Sequence, residues 1–359
     1  MRIRVCALFA VLAAALVATS PAAAADTPFT VIGSVSNHSG TTIPFFTSSF
    51  SYNGTTYPYS MVGTSPFTSG ATTTVPNEVI PVRFVFADGT AFDAGPVVHA
   101  AVHSPMWQAA SFISGDTQYG DAIQRAEFWT VIRHGYHVRL AQPTVLPTVT
   151  IDVPANHGTV EPAGATFGDH EALKRIGLVN SSWFYGRYDH LINAEHISAR
   201  TLPIILTHDV LLDGKTPESG CCIGGFHSTV ANRTANGSRE IQTAIFADYG
   251  SENAIRRIST NSNVFASDIN ALSHEVSEWM NDPFGSNVVP TWESVLAPQY
   301  GCSNALETGD PLVGVAFDVN GYHPQDEAFL SWFAHQMPSI GYRGRYSFLG
   351  SFTSPSTLC

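Results

Sequence analysis

Hydrophobic and polar residues alternate in short runs over the first hundred residues of the chain. The clearest run covers residues 80–86, where Ile, Val and Phe side chains are interleaved with Pro and Arg. Turn-forming pairs such as Asn53-Gly54 separate the runs, which is typical of antiparallel strands joined by hairpins. We therefore predict a β-rich N-terminal region over residues 26–100.

The pattern changes after residue 100, where segments of helical and strand periodicity follow one another. Residues 122–129 predict a helix with Asp121 as its N-cap, and residues 141–170 indicate a long connection or an edge hairpin. Further strands are predicted at 136–140, 202–206, 210–212, 223–230, 241–249 and 346–350, and further helices at 267–281 and 325–336. The predicted fold class is α+β: the β-rich layer packs with a mixed α/β region over residues 101–359, or the two form one continuous domain, 26–359.

The segment 267–281 has the strongest helical pattern. At 100° per residue, one side of the helix collects the apolar side chains of Ile269, Leu272, Val276, Trp279 and Met280. His274 and Glu278 stack on the opposite side, four residues apart, with Glu275 beside them. We expect Ser267 or Asp268 to cap the N-terminus of this helix.

An imidazole and a carboxylate on successive turns of a helix, with a second carboxylate next to the imidazole, are arranged as in the H-E-x-x-H helix of metalloproteases. His274 and Glu278 are therefore candidate metal ligands, and Glu275 is the candidate general base. Glu307 and Asp310, in a later segment that follows a cysteine, are available as further ligands. Zn²⁺ is the expected ion, with Ca²⁺ or Mn²⁺ as alternatives because the set is rich in carboxylates.

A His and a Glu four residues apart on a polar helix face also form ordinary solvated ion pairs, so the short pattern has a structural alternative. The other histidines considered, His190, His196 and His227, fit structural or surface roles better, although one of them could approach the metal. Asp116, Asp121 and Arg125 fit a capped, salt-bridged start of a helix.

Residues 1–25 have the pattern of a secretory signal peptide, which predicts an exported protein. Arg2 and Arg4 precede an apolar run over residues 5–17, and a Pro-Ala segment over 21–25 offers a cleavage site. No later run of 18 apolar residues occurs, so no membrane association is expected after removal of the signal.

The four cysteines outside that segment predict two disulfides in an oxidising compartment. Because a bond between the adjacent Cys221 and Cys222 would be strained, we expect each of them to pair with Cys302 or Cys359, and the connectivity stays open. A zinc site built from all four is the alternative, but no C-x-x-C spacing supports it.

Charge and missing motifs exclude several function classes. The sequence has 29 acidic against 17 basic residues and a formal net charge of −12, which disfavours binding to nucleic acid or to an anionic membrane. It contains neither a G-x-S-x-G nucleophile elbow nor a glycine-rich phosphate loop after a strand.

Four segments resemble a group of largely uncharacterised secreted bacterial proteins: 117–129, 221–227, Ser273-His-Glu-Val-Ser-Glu-Trp-Met-Asn-Asp-Pro283 and 301–311. The order of the motifs is also similar to that in the plant phosphate-induced, Exordium-like proteins. The resemblance implies a zincin-like core in which His274, Glu278 and Glu307 would be ligands and Glu275 the base.

Together these observations predict a secreted metal-dependent hydrolase, in particular a zincin-like peptidase acting on peptide or cell-wall polymer. The alternative is a non-catalytic secreted protein that keeps a degenerate zincin core and binds cell-wall glycan or an envelope partner. A structural Ca²⁺ site built from the same carboxylates is a third hypothesis.

Overall fold

The structure is a computed structural model that describes residues 35–213, 221–233, 239–258 and 267–359. The predicted signal peptide, residues 1–25, lies outside the described residues. Within these ranges, no helix combines the length and the apolar character that crossing a bilayer requires.

Strands and short helices alternate along the first half of the described chain. They are β1 Ser36–His38, β2 Phe45–Tyr52, β3 Thr55–Val62, β4 Thr72–Val75, β5 Asn77–Phe86, β6 Ala91–Asp93, α1 Gly95–Val102, β7 Ala110–Phe112, β8 Gly115–Thr117, α2 Tyr119–Glu127, β9 His137–Leu140, β10 Thr144–Val145, β11 Val149–Val153, β12 Gly158–Glu161, β13 Thr166–Phe167, β14 His170–Ala172, β15 Ile176–Asn180 and α3 Ser181–Ala194.

The second half contains fewer and longer elements, followed by a loop-rich end. They are β16 Leu202–His208, β17 Val210–Asp213, β18 Gly225–Arg233, β19 Arg239–Tyr249, β20 Ile255–Arg257, α4 Asn270–Asn281, β21 Val288–Trp292, β22 Ser303–Ala305 and α5 Leu330–Phe333. The chain therefore mixes strands and helices, in agreement with the predicted α+β class.

A mixed central sheet organises the fold, with the strand order β10-β5-β16-β19-β18 and with β6 and β11 also paired to β5. Strand β16 runs parallel to both β5 and β19, as in sheets covered by helices. Strand β18 pairs antiparallel with β19 from Gly225 opposite Ala247 to Arg233 opposite Arg239. Among the described pairings, β18 has no second neighbour, so it is the edge strand of this sheet.

Helices cover both faces of the central sheet because its strands are apolar on both sides. On β16, Ile204 and Leu206 face one hydrophobic core, and Ile205 between them faces the other. The first core includes side chains of α1, α2 and α4, whereas the second includes those of α3. Helix α4 is thereby fixed against the same face as α1 and α2.

The N-terminal hairpin packs mainly against the C-terminal loops, while Val62 at the end of β3 joins the first core of the central sheet. Asn53 and Gly54 join β2 to β3 with φ angles of 47° and 78°, the left-handed conformation that a tight hairpin turn needs. The core beneath this hairpin combines Phe46 with distant aromatic residues such as Trp292 and Trp332.

Several predicted elements differ in the structure. The helix predicted at 325–336 is reduced to α5, because Asp326 accepts hydrogen bonds from the Leu349 amide and the Ser351 hydroxyl that hold its segment extended. The strand predicted at 346–350 is only a bridge between Ala328 and Ser347. Residues 141–170 contain β10 and β11, which pair parallel with β5. Helix α3 was not predicted.

Candidate metal centre

Helix α4 presents His274, Glu275 and Glu278 to a cavity of about 660 Å³. The opposite side of the helix packs in the hydrophobic core. There the indole N–H of Trp279 donates a hydrogen bond to Thr243 Oγ1 on β19 at 3.0 Å. The predicted helix and its division into two sides are therefore observed. The predicted cap is not: Ile269 occupies the N-cap position without a side-chain hydrogen bond, and Asp268 instead accepts from the His323 amide.

A neighbouring glutamine fixes which nitrogen of His274 faces the cavity. Gln325 Nε2 donates to the Gly309 carbonyl at 2.8 Å, so its Oε1 is the acceptor that lies 3.2 Å from His274 Nδ1. His274 Nδ1 therefore carries a proton, and Nε2 points toward the acidic groups. This arrangement, with one ring nitrogen held by a polar partner, is typical of metal-binding histidines.

The loop containing Glu307 and Asp310 is tied to α4 through Glu278. Glu278 Oε1 accepts hydrogen bonds from the backbone amides of Gly309 and Asp310 at 3.0 and 3.2 Å. His274 Nε2 lies 3.1 Å from Glu278 Oε1 and 3.6 Å from Asp310 Oδ1. His274, Glu278 and Asp310 thus form one group whose potential ligand atoms all lie within 4.8 Å of one another.

Glu307 belongs to a second group, together with His227 on the edge strand β18. His227 Nδ1 lies 3.5 Å from Glu275 Oε2 and 3.6 Å from Glu278 Oε2. Its Nε2 lies 3.9 Å from Glu307 Oε2. His227 is therefore not a surface residue: its side chain is 4 % exposed, and it is the one of the three further histidines that approaches the candidate ligands. His227 ends the segment 221–227 that carries part of the resemblance, but no ligand spacing marks it, because its position depends on how β18 packs beside α4.

The predicted ligands and base therefore lie around one cavity, but they divide between two neighbouring groups. The other histidines considered do not join them: His190 and His196 are exposed and lie outside the cavity lining. Asp121 is buried, where it accepts from the Val138 amide and from His137. It sits in the first turn of α2, whose N-cap residue is Gln118.

Burial and like charges disturb the protonation of every acidic group in the site. Burial raises the pKa of Asp310 to about 8, and the nearby Glu278 charge acts in the same direction. Burial and Glu278 also raise the pKa of Glu307 well above its usual value. For Glu278 itself, burial is outweighed by His274 and His227, so its pKa is well below the usual range. The pKa of Glu275 is raised, mainly by burial.

The pKa values of both histidines are shifted in the direction opposite to the one that burial alone would give. Burial alone would lower the pKa of His274, but Glu278 and Glu275 raise it well above its usual value. The pKa of His227 is also raised, because Glu275, Glu278 and Glu307 outweigh its desolvation. The site is thus an acidic cluster that favours bound positive charge, which protons or a metal ion can supply.

Among the described residues, three buried atoms at the site lack a hydrogen-bond partner: His227 Nε2, Glu275 Oε2 and Glu307 Oε2. Polar atoms taken out of water without a partner are costly and uncommon in folded proteins. A cation between these groups would satisfy them, so the donor set fits a divalent metal.

The predicted pairing of Cys221 and Cys222 with Cys302 and Cys359 was wrong. Cys221 and Cys222 are bonded to each other at the wall of the cavity, and Cys302 is bonded to Cys359, with their Cα atoms 5.8 Å apart. The reason is tertiary: the chain end returns to the loop that starts at Cys302, whereas Cys221 and Cys222 precede the edge strand β18. The second disulfide anchors the loop that leads to Glu307 and Asp310.

The chain gives no match to any protein-family model, to any curated protein or to any solved structure.

Proposed function

We propose that this protein is an exported, metal-dependent hydrolase that cleaves peptides, with a zincin-like core. The observation that supports this proposal most is the convergence of His274, Glu278 and Asp310 within 4.8 Å, with Glu275 beside them at a cavity wall. An antiparallel edge strand next to the helix that bears these residues is consistent with a zincin-like arrangement. The pattern of residues 1–25 supports export.

His274, Glu278 and Asp310 would hold the ion, for which Zn²⁺ is the first candidate and Mn²⁺ or Ca²⁺ the alternatives. A bound divalent cation supplies Lewis-acid chemistry, since it polarises a carbonyl oxygen and lowers the pKa of water. Gln325 keeps His274 Nε2 turned toward this position through the hydrogen bond to Nδ1. The amides of Gly309 and Asp310 orient Glu278.

Glu275 would act as the general base. Its carboxylate lies 3.9 Å from His274 Nε2, and its Oε2 has no hydrogen-bond partner within the described part of the chain, so it can accept a proton from an attacking water. Burial raises the pKa of Glu275, which brings a carboxylate closer to the pKa that suits proton transfer near neutral pH. The same carboxyl group can then return the proton to the leaving amine.

The test combines metal analysis with peptide cleavage. The purified protein should contain a divalent metal and cleave unstructured peptides, and a chelator should abolish the cleavage. Glu275→Gln should lower kcat by about 10²–10⁴-fold while leaving metal content unchanged, since it removes only the base. Glu195→Gln, at an exposed position, is the matched control and should retain full activity. Absence of bound metal, or cleavage unaffected by Glu275→Gln, would reject the proposal.

One surface feature favours the alternative function, binding of cell-wall glycan without catalysis. Trp129 is 38 % exposed, and its ring meets Tyr342 edge-on at 4.8 Å between centroids. The guanidinium groups of Arg343 and Arg345 lie within 6 Å of the Tyr342 ring. An aromatic surface patch with adjacent positive charge is therefore present on a protein whose net charge is negative. Aromatic rings of this kind provide flat apolar contact for sugar rings.

Sedimentation with purified cell-wall polymer distinguishes the two functions. Binding that is saturable, is lost in Trp129→Ala and persists after removal of metal, in a protein without turnover, would support the alternative. Cleavage that depends on Glu275 would support the hydrolase.

A further inference from the structure

The two groups of potential ligands share a single residue, Glu278. The first group consists of His274, Glu278 and Asp310, and the second of His227, Glu278 and Glu307. The carboxylate of Glu278 lies between them: Oε1 is 3.1 Å from His274 Nε2, and Oε2 is 3.6 Å from His227 Nδ1. Each oxygen of this carboxylate therefore faces a different histidine, and one potential ligand atom from each residue of the second group lies within 4.8 Å of the other two.

Distances within each group fit one ion per group. Two ligands about 2.1 Å from the same ion lie roughly 3.0 to 4.2 Å apart for angles between 90° and 180°. His274 Nε2 and Asp310 Oδ1 are 3.6 Å apart, and His227 Nε2 and Glu307 Oε2 are 3.9 Å apart. Both separations fall within this range, although neither pair is close enough for a hydrogen bond.

The two histidines fall into separate groups, so a single ion placed in one group does not serve the other. The second group also contains polar atoms that an ion bound in the first group would leave without a partner. His227 Nε2 and Glu307 Oε2 are buried and make no hydrogen bond with any residue that the structure describes, and the His227 side chain is only 4 % exposed. A buried imidazole nitrogen aimed at an unpartnered carboxylate oxygen indicates a ligand between them.

The charge of the site accommodates the same count. Glu275, Glu278, Glu307 and Asp310 contribute four carboxylates, and the nearest guanidinium on the cavity wall, that of Arg257, is paired with Asp169 at 3.3 Å. With neutral histidines and ionised carboxylates, one divalent ion would leave two negative charges in a buried site, which protons or a second cation must neutralise. Two divalent ions neutralise the set.

We propose that this site holds two divalent cations, with Glu278 bridging them, His274 and Asp310 completing one position, and His227 and Glu307 completing the other. This inference rests on the proposed metal-dependent function and goes beyond its single ion. A pair of ions sharing a carboxylate belongs to the co-catalytic class of hydrolytic centres, in which two cations act on one substrate group.

The decisive measurement is the number of ions bound per chain. The protein is first freed of metal with a chelator and is then titrated by calorimetry with Zn²⁺ and, separately, with Mn²⁺. The bound ions are counted by elemental analysis. We expect two equivalents. The Mn²⁺-loaded protein should show the exchange-coupled electron paramagnetic resonance spectrum of two ions that share a ligand. This measurement uses the unaltered protein, so it does not depend on whether a variant folds.

Variants assign the two positions. His227→Gln and His274→Gln should each lower the count from two to one and abolish the coupled spectrum, whereas His190→Gln, a histidine exposed on α3, should retain both ions. One equivalent in the unaltered protein, or an uncoupled spectrum at two equivalents, would overturn the two-ion centre while leaving the single-metal hydrolase intact. No binding of either ion would overturn both.

Discussion

Gly309 lies so close to His274 that the site leaves no room for a side chain at this position. A Cβ atom added there would lie 2.5 Å from His274 Nδ1, although the backbone at φ −84° and ψ −33° is open to any residue. The absence of a side chain lets the Gly309 carbonyl reach Gln325 and its amide reach Glu278. The loop can therefore lie directly against the ring of His274.

Gly309→Ala should weaken metal binding by about 10–100-fold, the usual cost of disturbing the groups that orient a ligand. The added methyl group must push away the imidazole or the loop, which separates His274 from Asp310. Calorimetric titration with Zn²⁺ measures the effect. Gly186→Ala is the matched control, because its Cβ on α3 meets nothing within 4 Å and should leave affinity unchanged. Equal affinities in the two variants would contradict this account.

Asp310 makes the metal-free protein sensitive to alkali. Its pKa rises from 3.8 to about 8 on folding, so between these values the folded chain keeps a proton that the unfolded chain releases. Stability therefore falls as pH rises through this window. The raised pKa values of His227 and His274 act in the same sense, since their stabilisation is lost as pH passes the folded values.

We expect the melting temperature of the metal-free protein to fall by on the order of 5 °C between pH 6 and pH 9. Asp310→Asn cannot ionise and should reduce this fall, and saturating Zn²⁺ should largely remove it because the cation compensates the carboxylates. Differential scanning calorimetry at both pH values measures the change. A melting temperature that rises with pH in the metal-free protein would be inconsistent with these raised pKa values.

At the scale of elements, α4 carries the chemistry because its other side is fixed to the central sheet. Trp279 is fully buried and bonds to Thr243 on β19, and Met280 fills the space beside Gly120 on α2. A helix anchored along its whole apolar side holds His274 and Glu278 in one orientation, which a metal site requires.

Trp279→Phe should lower the free energy of unfolding by about 1–3 kcal/mol, because it leaves a cavity and removes the partner of the buried Thr243 hydroxyl. Denaturant unfolding measures this loss. Trp129→Phe, at an indole 38 % exposed, is the control and should change stability by less than about 0.5 kcal/mol. A larger loss in the control would contradict the role assigned to Trp279.

At the scale of the whole molecule, the C-terminal loops complete a site that begins on the central sheet. Their core includes Trp292, Trp332 and Phe333 and packs against the N-terminal hairpin. The disulfide between Cys302 and Cys359 closes 57 residues around this region. The loop that supplies Glu307 and Asp310 thus depends on contacts between the two ends of the described chain.

Replacement of both Cys302 and Cys359 by Ser should lower stability by about 2–4 kcal/mol, because the unfolded chain regains the freedom of a long loop. Replacement of both Cys221 and Cys222 by Ser, which opens no comparable loop, should cost much less. Denaturant unfolding without reductant compares the two variants. Equal losses would show that loop closure does not determine the contribution of the Cys302–Cys359 bond.

The local features follow from patterns along the chain. The apolar period of Leu272, Val276 and Trp279 specified helix α4 and its buried side, and the spacing of His274 and Glu278 placed both on the other side. The pair Asn53-Gly54 specified the hairpin between β2 and β3. These features follow from neighbours within a few residues, so a pattern along the chain is sufficient.

Tertiary structure decided the rest, because it depends on segments far apart in the sequence. The position of His227 requires β18 to pair with β19 and to lie beside α4, and the pairing of Cys302 with Cys359 requires the chain end to return. The segment 325–329 has a helical pattern, yet hydrogen bonds from distant partners hold Asp326 in an extended segment. The division of the acidic residues into two groups likewise follows from folding, since Glu278 meets both histidines only when strand, helix and loop come together.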